Sequence, residues 1–410
     1  MRNAAHKYNK SMTLQVIEKF KRLTYCSTYT YPLVIKDGHE CFINDVDGNE
    51  FLDFTSNIGS CPLGYSHPYI MEALNEFSKI GMHKIAGQDF YCEEHARIAE
   101  QLLSISSKNM KAFFINSGAE AVENAIKLAY RSRGPLPGIS CINAFHGRTL
   151  GALTFTYSKD VQKSNFPEFP VKRIKFCTKD DDPEIDTIQN VINKNKVAFI
   201  MCEAIQGEGG MNVASNKFMK NLEKCAVQYQ VPLILDEVQC GMGRTGKWWA
   251  YQHYGIKPNL ITVAKALQVG AVVFERRYEP NEQGVLSSTW GGGSRIDMEI
   301  GCRIIETISK KHLLLNSETM GNKVLKRLKE IAEHDSYKQI CDVRGIGLMI
   351  GVEFTSRINR DRFVKDLFKQ KLLVLPSGKC SIRIMPPLII EEQQVNQGLD
   401  TIEFVLNKKN

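Results

Sequence analysis

The amino-acid sequence predicts an α/β fold in which a large domain, built around a parallel sheet, is followed by a smaller domain. The chain has 410 residues, which is more than one ordinary domain holds. From about residue 110, short continuous apolar runs alternate with stretches of helical periodicity. Such alternation is typical of parallel strands that helices cover on both faces.

The predicted elements begin with a helix over residues 11–24, where apolar residues recur at helical spacing. Residues 41–50 are predicted to form a hairpin that turns at Asp47 and Gly48. The strands of the sheet are predicted at five apolar runs, which are 112–115, 139–142, 197–202, 232–235 and 260–264.

The last third of the chain has a different pattern. A long helix is predicted over 295–333, and strands and helices alternate after it. We therefore expect residues 51–294 to form the large domain and residues 295–410 the small domain. Residues 1–50 are expected to be an N-terminal segment that contributes to the small domain.

Composition argues against several classes of protein. The net charge is +8, but Lys and Arg are scattered, so we expect no nucleic-acid partner. No apolar run approaches the roughly 18 residues of a membrane span, so we expect no membrane partner. The twelve cysteines include no Cys-x-x-Cys pair, so we expect no metal site. Without an apolar signal segment at its start, the protein is expected in the reducing cytoplasm.

A polar residue follows each of the five predicted strands. Open parallel sheets bind ligands at the carboxyl ends of their strands. Five polar endings in series therefore predict one site along that edge of the sheet. The residues at these endings are Asn116, Asn143, Glu203, Asp236 and Lys265.

Asp236 and Lys265 are the most informative of these endings, because they stand about one strand–helix–strand unit apart. A carboxylate at the end of a buried strand needs a partner, and a protonated ring nitrogen is one candidate. A structural or helix-capping role fits Asp236 equally well. A lysine after so apolar a strand has a lowered pKa and a nucleophilic amine, although such lysines more often extend to water.

Two further segments suggest ligand contacts. Ser117 opens a helix whose free N–H groups suit a phosphate, and an ordinary serine cap is the alternative. Phe145 is suited to stack on a flat ring and Arg148 to bind a carboxylate. Core packing and a surface loop are the corresponding alternatives.

Acidic and basic side chains also occur in unusual settings. Glu203 and Glu208 lie in a glycine-rich segment, where they form either an acid–base pair or part of an ordinary turn. Arg383 lies inside an apolar strand, so it needs an anionic partner, which is either a substrate carboxylate or a protein acid.

In combination these segments resemble the class III aminotransferases, which are pyridoxal 5'-phosphate (PLP) enzymes of the aspartate-aminotransferase fold type. The resemblance covers nearly the whole chain, from residues 45–50 to the strand that contains 386–388. It is carried by four motifs, NSGAEAVENAIKLA at 116–129, FHGRTLGA at 145–152, EAIQGEGG at 203–210 and LDEVQCGMGRTG at 235–246.

The resemblance implies PLP-dependent transferase fold type I, with a mostly parallel seven-stranded sheet and a smaller α+β domain. Lys265 would carry the cofactor and act with Asp236 in catalysis, Asp236 being paired with the ring nitrogen. Thr289 would reach the phosphate of a partner subunit, so a homodimer with shared sites is expected. The implied cofactor contacts are Ser117, Gly118, Ala119, Phe145, His146, Glu203, Asp236, Val238, Gln239, Lys265 and Thr289.

The resemblance also implies how substrates bind. Arg383 would bind a substrate carboxylate, and Glu208 would mask Arg383 when a substrate does not need it. Arg148 would help to hold the α-carboxylate. One pocket would then accept both an ω-amino acid and 2-oxoglutarate.

Four stretches are most similar to lysine 6-aminotransferases, so lysine is the expected amino donor. One of them, 266–271, departs from the glycine-rich run usual in the class. Donors left open are 4-aminobutyrate, ornithine and acetylornithine. An amino-acid racemase or aminomutase shares nearly all these residues but needs no 2-oxo acid. A non-catalytic cofactor-binding protein is less consistent with Asp236 and Lys265 together.

Overall fold

The computed structural model describes residues 11–25, 31–87, 89–107, 109–288, 292–335 and 337–408. The predicted leading helix and hairpin are both present, and an additional strand precedes the hairpin. Before the large sheet the chain forms α1 (Met12–Leu23), β1 (Ile35–His39), β2 (Phe42–Asp45), β3 (Glu50–Asp53), α2 (Ser56–Gly59), α3 (Pro68–Ile80) and α4 (Glu93–Ile105).

The middle of the chain alternates strands and helices, as the apolar runs predicted. It forms β4 (Met110–Ile115), α5 (Gly118–Arg133), β5 (Gly138–Cys141), α6 (Leu150–Phe155), β6 (Val171–Ile174), α7 (Glu184–Asn195), β7 (Phe199–Glu203), β8 (Ile205–Gln206), β9 (Asn212–Val213), α8 (Asn216–Gln228), β10 (Leu233–Asp236), β11 (Leu260–Val263) and β12 (Gly270–Glu275).

Seven of these strands make one sheet in the order β4-β12-β11-β10-β7-β5-β6. All neighbouring pairs are parallel except the two that involve β12, which runs opposite to β4 and β11. The predicted mostly parallel, seven-stranded sheet is therefore confirmed. The sheet is buried, since every residue of β5, β7, β10 and β11 is buried.

The last part of the chain forms α9 (Arg295–Lys310), α10 (Leu313–Glu333), β13 (Ile340–Ile346), β14 (Met349–Phe354), α11 (Arg357–Lys369), β15 (Leu372–Leu373), β16 (Leu375–Ser377), β17 (Ser381–Ile384) and α12 (Glu392–Asn407). Strands β13, β14, β17 and β16 make a second sheet. Strand β15 joins the sheet of β1, β2 and β3 by pairing in parallel with β3. That pairing is consistent with an N-terminal segment that contributes to the small domain, while the domain boundaries stay predictions.

The single helix predicted over 295–333 is wrong. The chain breaks between α9 and α10 at His312, which adopts a left-handed conformation with φ of 52°. The physical reason is that the two halves pack in different places. Helix α9 contacts α3 and α4, whereas α10 contacts β13 and α12. No helix in the described part of the chain is both long enough and apolar enough to cross a membrane.

Candidate active site

A cavity of about 1710 Å³ lies at the carboxyl ends of the parallel strands. Residues of the second sheet, including Arg383 of β17, complete its wall. Thr289 lies outside the described residues. The other predicted site residues all line this cavity, namely Ser117, Gly118, Ala119, Phe145, His146, Arg148, Glu203, Glu208, Asp236, Val238, Gln239, Lys265 and Arg383.

Asp236 ends β10 and is held from two sides. Its Oδ2 lies 2.8 Å from Nδ1 of His146. Its Oδ1 accepts hydrogen bonds from the Thr262 hydroxyl at 3.1 Å and from the Val238 N–H at 3.1 Å. The carboxylate therefore has a fixed orientation at the cavity wall. Thr262 lies inside the apolar run that forms β11, and nothing in that run indicates a contact with Asp236.

Lys265 follows β11, the strand next to β10 in the sheet. Its side chain is partly accessible because it lines the cavity. Protein nevertheless surrounds it, and this burial lowers the pKa of the amine to about 8, with the positive charge of Arg383 acting in the same direction. A larger share of the amine is therefore uncharged at neutral pH than in an ordinary lysine.

Four non-glycine residues of the cavity wall have left-handed backbone. Lys265 has φ of 49°, Ile58 has φ of 62°, Asn143 has φ of 66° and Gln268 has φ of 71°. Left-handed conformations are uncommon for residues with a side chain, and least common for a β-branched one. Strain of this kind is typical of functional sites. Ile58 was not among the predicted site residues.

Ser117 is the N-cap of α5, and its hydroxyl accepts a hydrogen bond from the Glu120 N–H at 3.3 Å. The ordinary cap is therefore present, but it leaves the next N–H groups of the helix without intrahelical acceptors. A Cβ on Gly118 would lie 2.8 Å from Cγ1 of Val238. Glycine is thus what allows the helix start to approach the cavity wall so closely.

The cavity also presents buried polar atoms that lack partners. Among the described residues, neither Nε2 of His146 nor Oε1 of Gln239 has a hydrogen-bond partner. Phe145 and Val238 line the same space. Unsatisfied buried polar atoms are rare in folded proteins. Together with the free helix start and Lys265, these atoms fit a flat, polar, phosphorylated group such as PLP.

Glu203 stabilises the cavity wall through hydrogen bonds to the backbone. Its Oε2 accepts a hydrogen bond from the Phe145 N–H at 3.0 Å, and its Oε1 accepts one from the Gly207 N–H at 3.3 Å. Burial raises its pKa well above the usual range, and the nearby charge of Asp236 adds to this. Both carboxylate oxygens are thus occupied by the backbone, which is the arrangement expected of a structural acid.

Glu208 lies in the turn between β8 and β9 and contacts Arg383. Oε2 of Glu208 is 3.2 Å from Nη1 of Arg383. Arg383 is buried, and burial lowers the pKa of its guanidinium while Glu208 opposes that change. The anionic partner required by Arg383 is therefore a protein acid in this structure. Lys159, which was not predicted, bonds to the other oxygen of Glu208.

Arg148 is exposed at the rim of the cavity. Its guanidinium carbon lies 5.9 Å from the centre of the Phe145 ring. That distance is within the range of a cation–π contact. The guanidinium is thus available to an anionic ligand that lies against the ring.

Comparison with known proteins agrees with this geometry. The family model described as aminotransferase class-III matches residues 25–406. An acetylornithine aminotransferase of Archaeoglobus fulgidus is 35% identical over 387 residues, which are 93% of this chain and 96% of the relative. An acetylornithine aminotransferase of Bacillus anthracis is 33% identical over 380 residues, covering 91% of this chain and 94% of the relative.

Solved structures show the same relationship. The structure of a lysine aminotransferase from M. tuberculosis superposes with a TM-score of 0.87 at 26% identity, covering 96% of this chain and 98% of that one. An acetylornithine aminotransferase from Elizabethkingia anophelis gives a TM-score of 0.81 at 26% identity, covering 96% and 98%. The chain belongs to the class III aminotransferases, which are PLP-dependent enzymes.

Proposed function

We propose that this aminotransferase moves the terminal amino group of an ω-amino acid to 2-oxoglutarate, giving a semialdehyde and glutamate. The observation that carries the proposal is the pair of Glu208 and Arg383, 3.2 Å apart at the cavity wall. An arginine that is neutralised by a side chain can be withheld from one substrate and offered to another. A donor that reacts at its terminal amine has no carboxylate next to that amine and does not need the arginine. A 2-oxo acid acceptor has a carboxylate next to its reacting carbon, and the arginine is able to bind it.

Two amino donors have support. Three curated relatives that are 32–35% identical to the chain are named acetylornithine aminotransferases, so we place N-acetylornithine first. Lysine, the donor expected from sequence stretches, is supported by the fold similarity to a lysine aminotransferase at 26% identity. Both donors carry an α-carboxylate, which Arg148 at the cavity rim is placed to bind.

The roles of the residues follow from the chemistry. PLP, when bound, supplies a ring that stabilises negative charge on the carbon next to the reacting amine. The Lys265 amine binds the cofactor and moves the proton at that carbon, a task suited to a group with a pKa near the operating pH. Asp236, held by His146 and Thr262, keeps a positive charge at the ring nitrogen.

The assembly is a homodimer in which Thr289 of one subunit completes the site of the other, and the enzyme acts in the cytoplasm. Such a dimer is tested by sedimentation and by mixing subunits. Each site would take Lys265 from one subunit and Thr289 from the other. A hybrid of a Lys265→Ala subunit with a Thr289→Ala subunit should therefore be active, because both substitutions fall in one site and the other site has neither.

The proposed reaction is tested with a panel of donors. The purified holoenzyme is given N-acetylornithine, lysine, ornithine or 4-aminobutyrate with 2-oxoglutarate, and glutamate is measured. We expect the highest kcat/KM with N-acetylornithine. Lys265→Ala should abolish glutamate formation, whereas Lys257→Ala, at an exposed lysine before the same strand, should not. Racemisation of an amino acid without any need for 2-oxoglutarate would overturn the proposal.

A further inference from the structure

We propose that Lys159 determines how readily Arg383 becomes available to a substrate carboxylate, because Lys159 holds the Glu208 carboxylate when it leaves Arg383. This inference rests on the proposed function, in which Glu208 and Arg383 control the use of two kinds of substrate. It adds a specificity-determining residue outside the four sequence motifs.

The Glu208 carboxylate is shared between two cations. Its Oε1 is hydrogen-bonded to Nζ of Lys159, and its Oε2 lies 3.2 Å from Nη1 of Arg383. All three side chains line the same cavity. Because one carboxylate serves both cations, a rotation of Glu208 that strengthens one ion pair weakens the other.

Lys159 and Arg383 differ in burial, and this difference determines which of the two Glu208 prefers. The Lys159 side chain is 43% exposed, whereas that of Arg383 is 9% exposed. An exposed ion pair is weak, but a buried guanidinium without an anion is strongly unfavourable. Glu208 therefore stays with Arg383 until another carboxylate arrives. Lys159 then keeps the displaced Glu208 paired, which favours its displacement.

The main chain around Glu208 is fixed to the second sheet. The Gly378 N–H donates to the Glu208 carbonyl at 2.8 Å. The Arg344 guanidinium donates to the Gly210 carbonyl at 2.6 Å. Exchange between the two cations is therefore a rotation of the Glu208 side chain and not a movement of its loop. A flexible lysine at the cavity mouth is suited to follow such a rotation.

Arg383 has donor capacity to spare. Its Nε is buried and has no hydrogen-bond partner within the described part of the chain. Glu208 engages Arg383 through Nη1. An incoming carboxylate is able to use Nε and a terminal nitrogen together, as arginine–carboxylate pairs commonly do. This bidentate contact is what would outcompete Glu208.

The test measures binding of a dicarboxylate to the PLP-loaded enzyme. Glutarate has the two carboxylates of 2-oxoglutarate but no reacting carbonyl, and its Kd is measured by calorimetry. In Lys159→Met we expect Kd to rise about fivefold, the upper range for loss of an exposed ion pair. Lys159→Arg should restore the affinity. Lys163→Met is the matched control, because Lys163 pairs with Glu168 and does not line the cavity.

The same substitution in the Glu208→Gln variant shows whether Lys159 affects glutarate binding through Glu208. In Glu208→Gln we expect tighter glutarate binding, and adding Lys159→Met should then change Kd less than twofold. If the fivefold loss persists in Glu208→Gln, Lys159 contacts the ligand directly and the proposal is wrong. If Lys159→Met alone leaves Kd unchanged, the pair with Glu208 is an ordinary surface ion pair and the proposal is equally wrong.

Failure of the proposed function gives a different pattern. Arg383→Gln would then leave glutarate binding unchanged, as would Glu208→Gln. If those two variants change glutarate binding as expected while Lys159→Met does not, only the role of Lys159 is overturned.

Discussion

Nδ1 of His146 lies 2.8 Å from Oδ2 of Asp236, and both side chains are buried. His146 comes from the segment between β5 and α6, whereas Asp236 ends β10. A buried carboxylate needs a partner, and His146 supplies it at the cavity wall. The consequence is that Asp236 is oriented before any ligand arrives, and its orientation depends on a residue from the segment that follows another strand.

Removing this contact should impair amine transfer more than folding. His146→Leu is expected to lower kcat by roughly 10- to 100-fold, since hydrogen bonds to charged groups are worth about 1.5–3 kcal/mol. Asp236→Asn should lower kcat further, by about 10²–10³-fold, because it removes the charge that faces the cofactor ring. Steady-state kinetics with N-acetylornithine and the visible spectrum of the holoenzyme measure both effects.

His253→Leu is the control for this pair. His253 is partly buried, contacts Thr245 and does not line the cavity. It should lower the melting temperature without changing the cofactor spectrum. Unchanged kcat and spectrum in His146→Leu would contradict the positioning role.

The lowered pKa of Lys265 predicts the pH dependence of cofactor uptake. The uncharged amine is the nucleophile, so the rate of PLP binding to the apoenzyme should rise with pH and level off above about 8. A lysine with its ordinary pKa of about 10.4 would keep the rate rising up to pH 10. The visible absorbance is followed between pH 6 and 10. The reaction of PLP with the free side-chain amine of Nα-acetyl-lysine is measured over the same pH range, to correct for titration of PLP itself.

Charge variants should shift that pH profile in opposite directions. Arg383 lowers the pKa of Lys265 and Glu208 raises it. Arg383→Gln removes a positive charge, which eases protonation, so the midpoint should move to higher pH. Glu208→Gln should move it to lower pH. Equal midpoints in both variants and the wild type would show that neither Arg383 nor Glu208 contributes to the pKa of Lys265.

The sheet and the centre of the site were predictable because they depend on local patterns. Continuous apolar runs marked five of the seven strands, and Asp236 and Lys265 ended two of them. Strand β6 was missed because Lys172 and Arg173 make it polar, which is common in a strand at the edge of a sheet. Strand β12 was missed because its apolar residues follow Lys265 almost directly, with only a three-residue 3₁₀ helix between the two strands.

The remaining features depend on contacts between distant parts of the chain. Nothing in an apolar strand distinguishes Thr262, whose hydroxyl reaches Asp236 only because β10 and β11 are neighbours in the sheet. Lys159 lies in a polar segment after α6. It forms a hydrogen bond with Glu208, which is 49 residues later in the sequence. Periodicity carries no information on pairs of this kind.

If Arg148 binds the α-carboxylate of the donor, its removal should raise KM only for donors that have an α-carboxylate. Lysine and 1,5-diaminopentane share the same reacting amine, but only lysine has an α-carboxylate. Arg148→Gln should raise KM for lysine by roughly 10-fold, the size of one lost charge-assisted hydrogen bond, and leave KM for 1,5-diaminopentane unchanged. Arg357→Gln is the control, because Arg357 also lies at the cavity mouth but pairs with Asp361. An equal rise for both donors would contradict carboxylate binding by Arg148.

The break between α9 and α10 predicts a stabilising substitution. His312 is exposed and left-handed, with φ of 52°. Left-handed backbone costs a non-glycine residue about 1–2 kcal/mol, while glycine loses about 0.5–1 kcal/mol more through chain entropy. His312→Gly should therefore raise the melting temperature measured by calorimetry. His334→Gly, at an exposed helix end with φ of −90°, should lower it. A lower melting temperature for His312→Gly would mean that the His312 side chain stabilises the break and that its backbone carries no net strain.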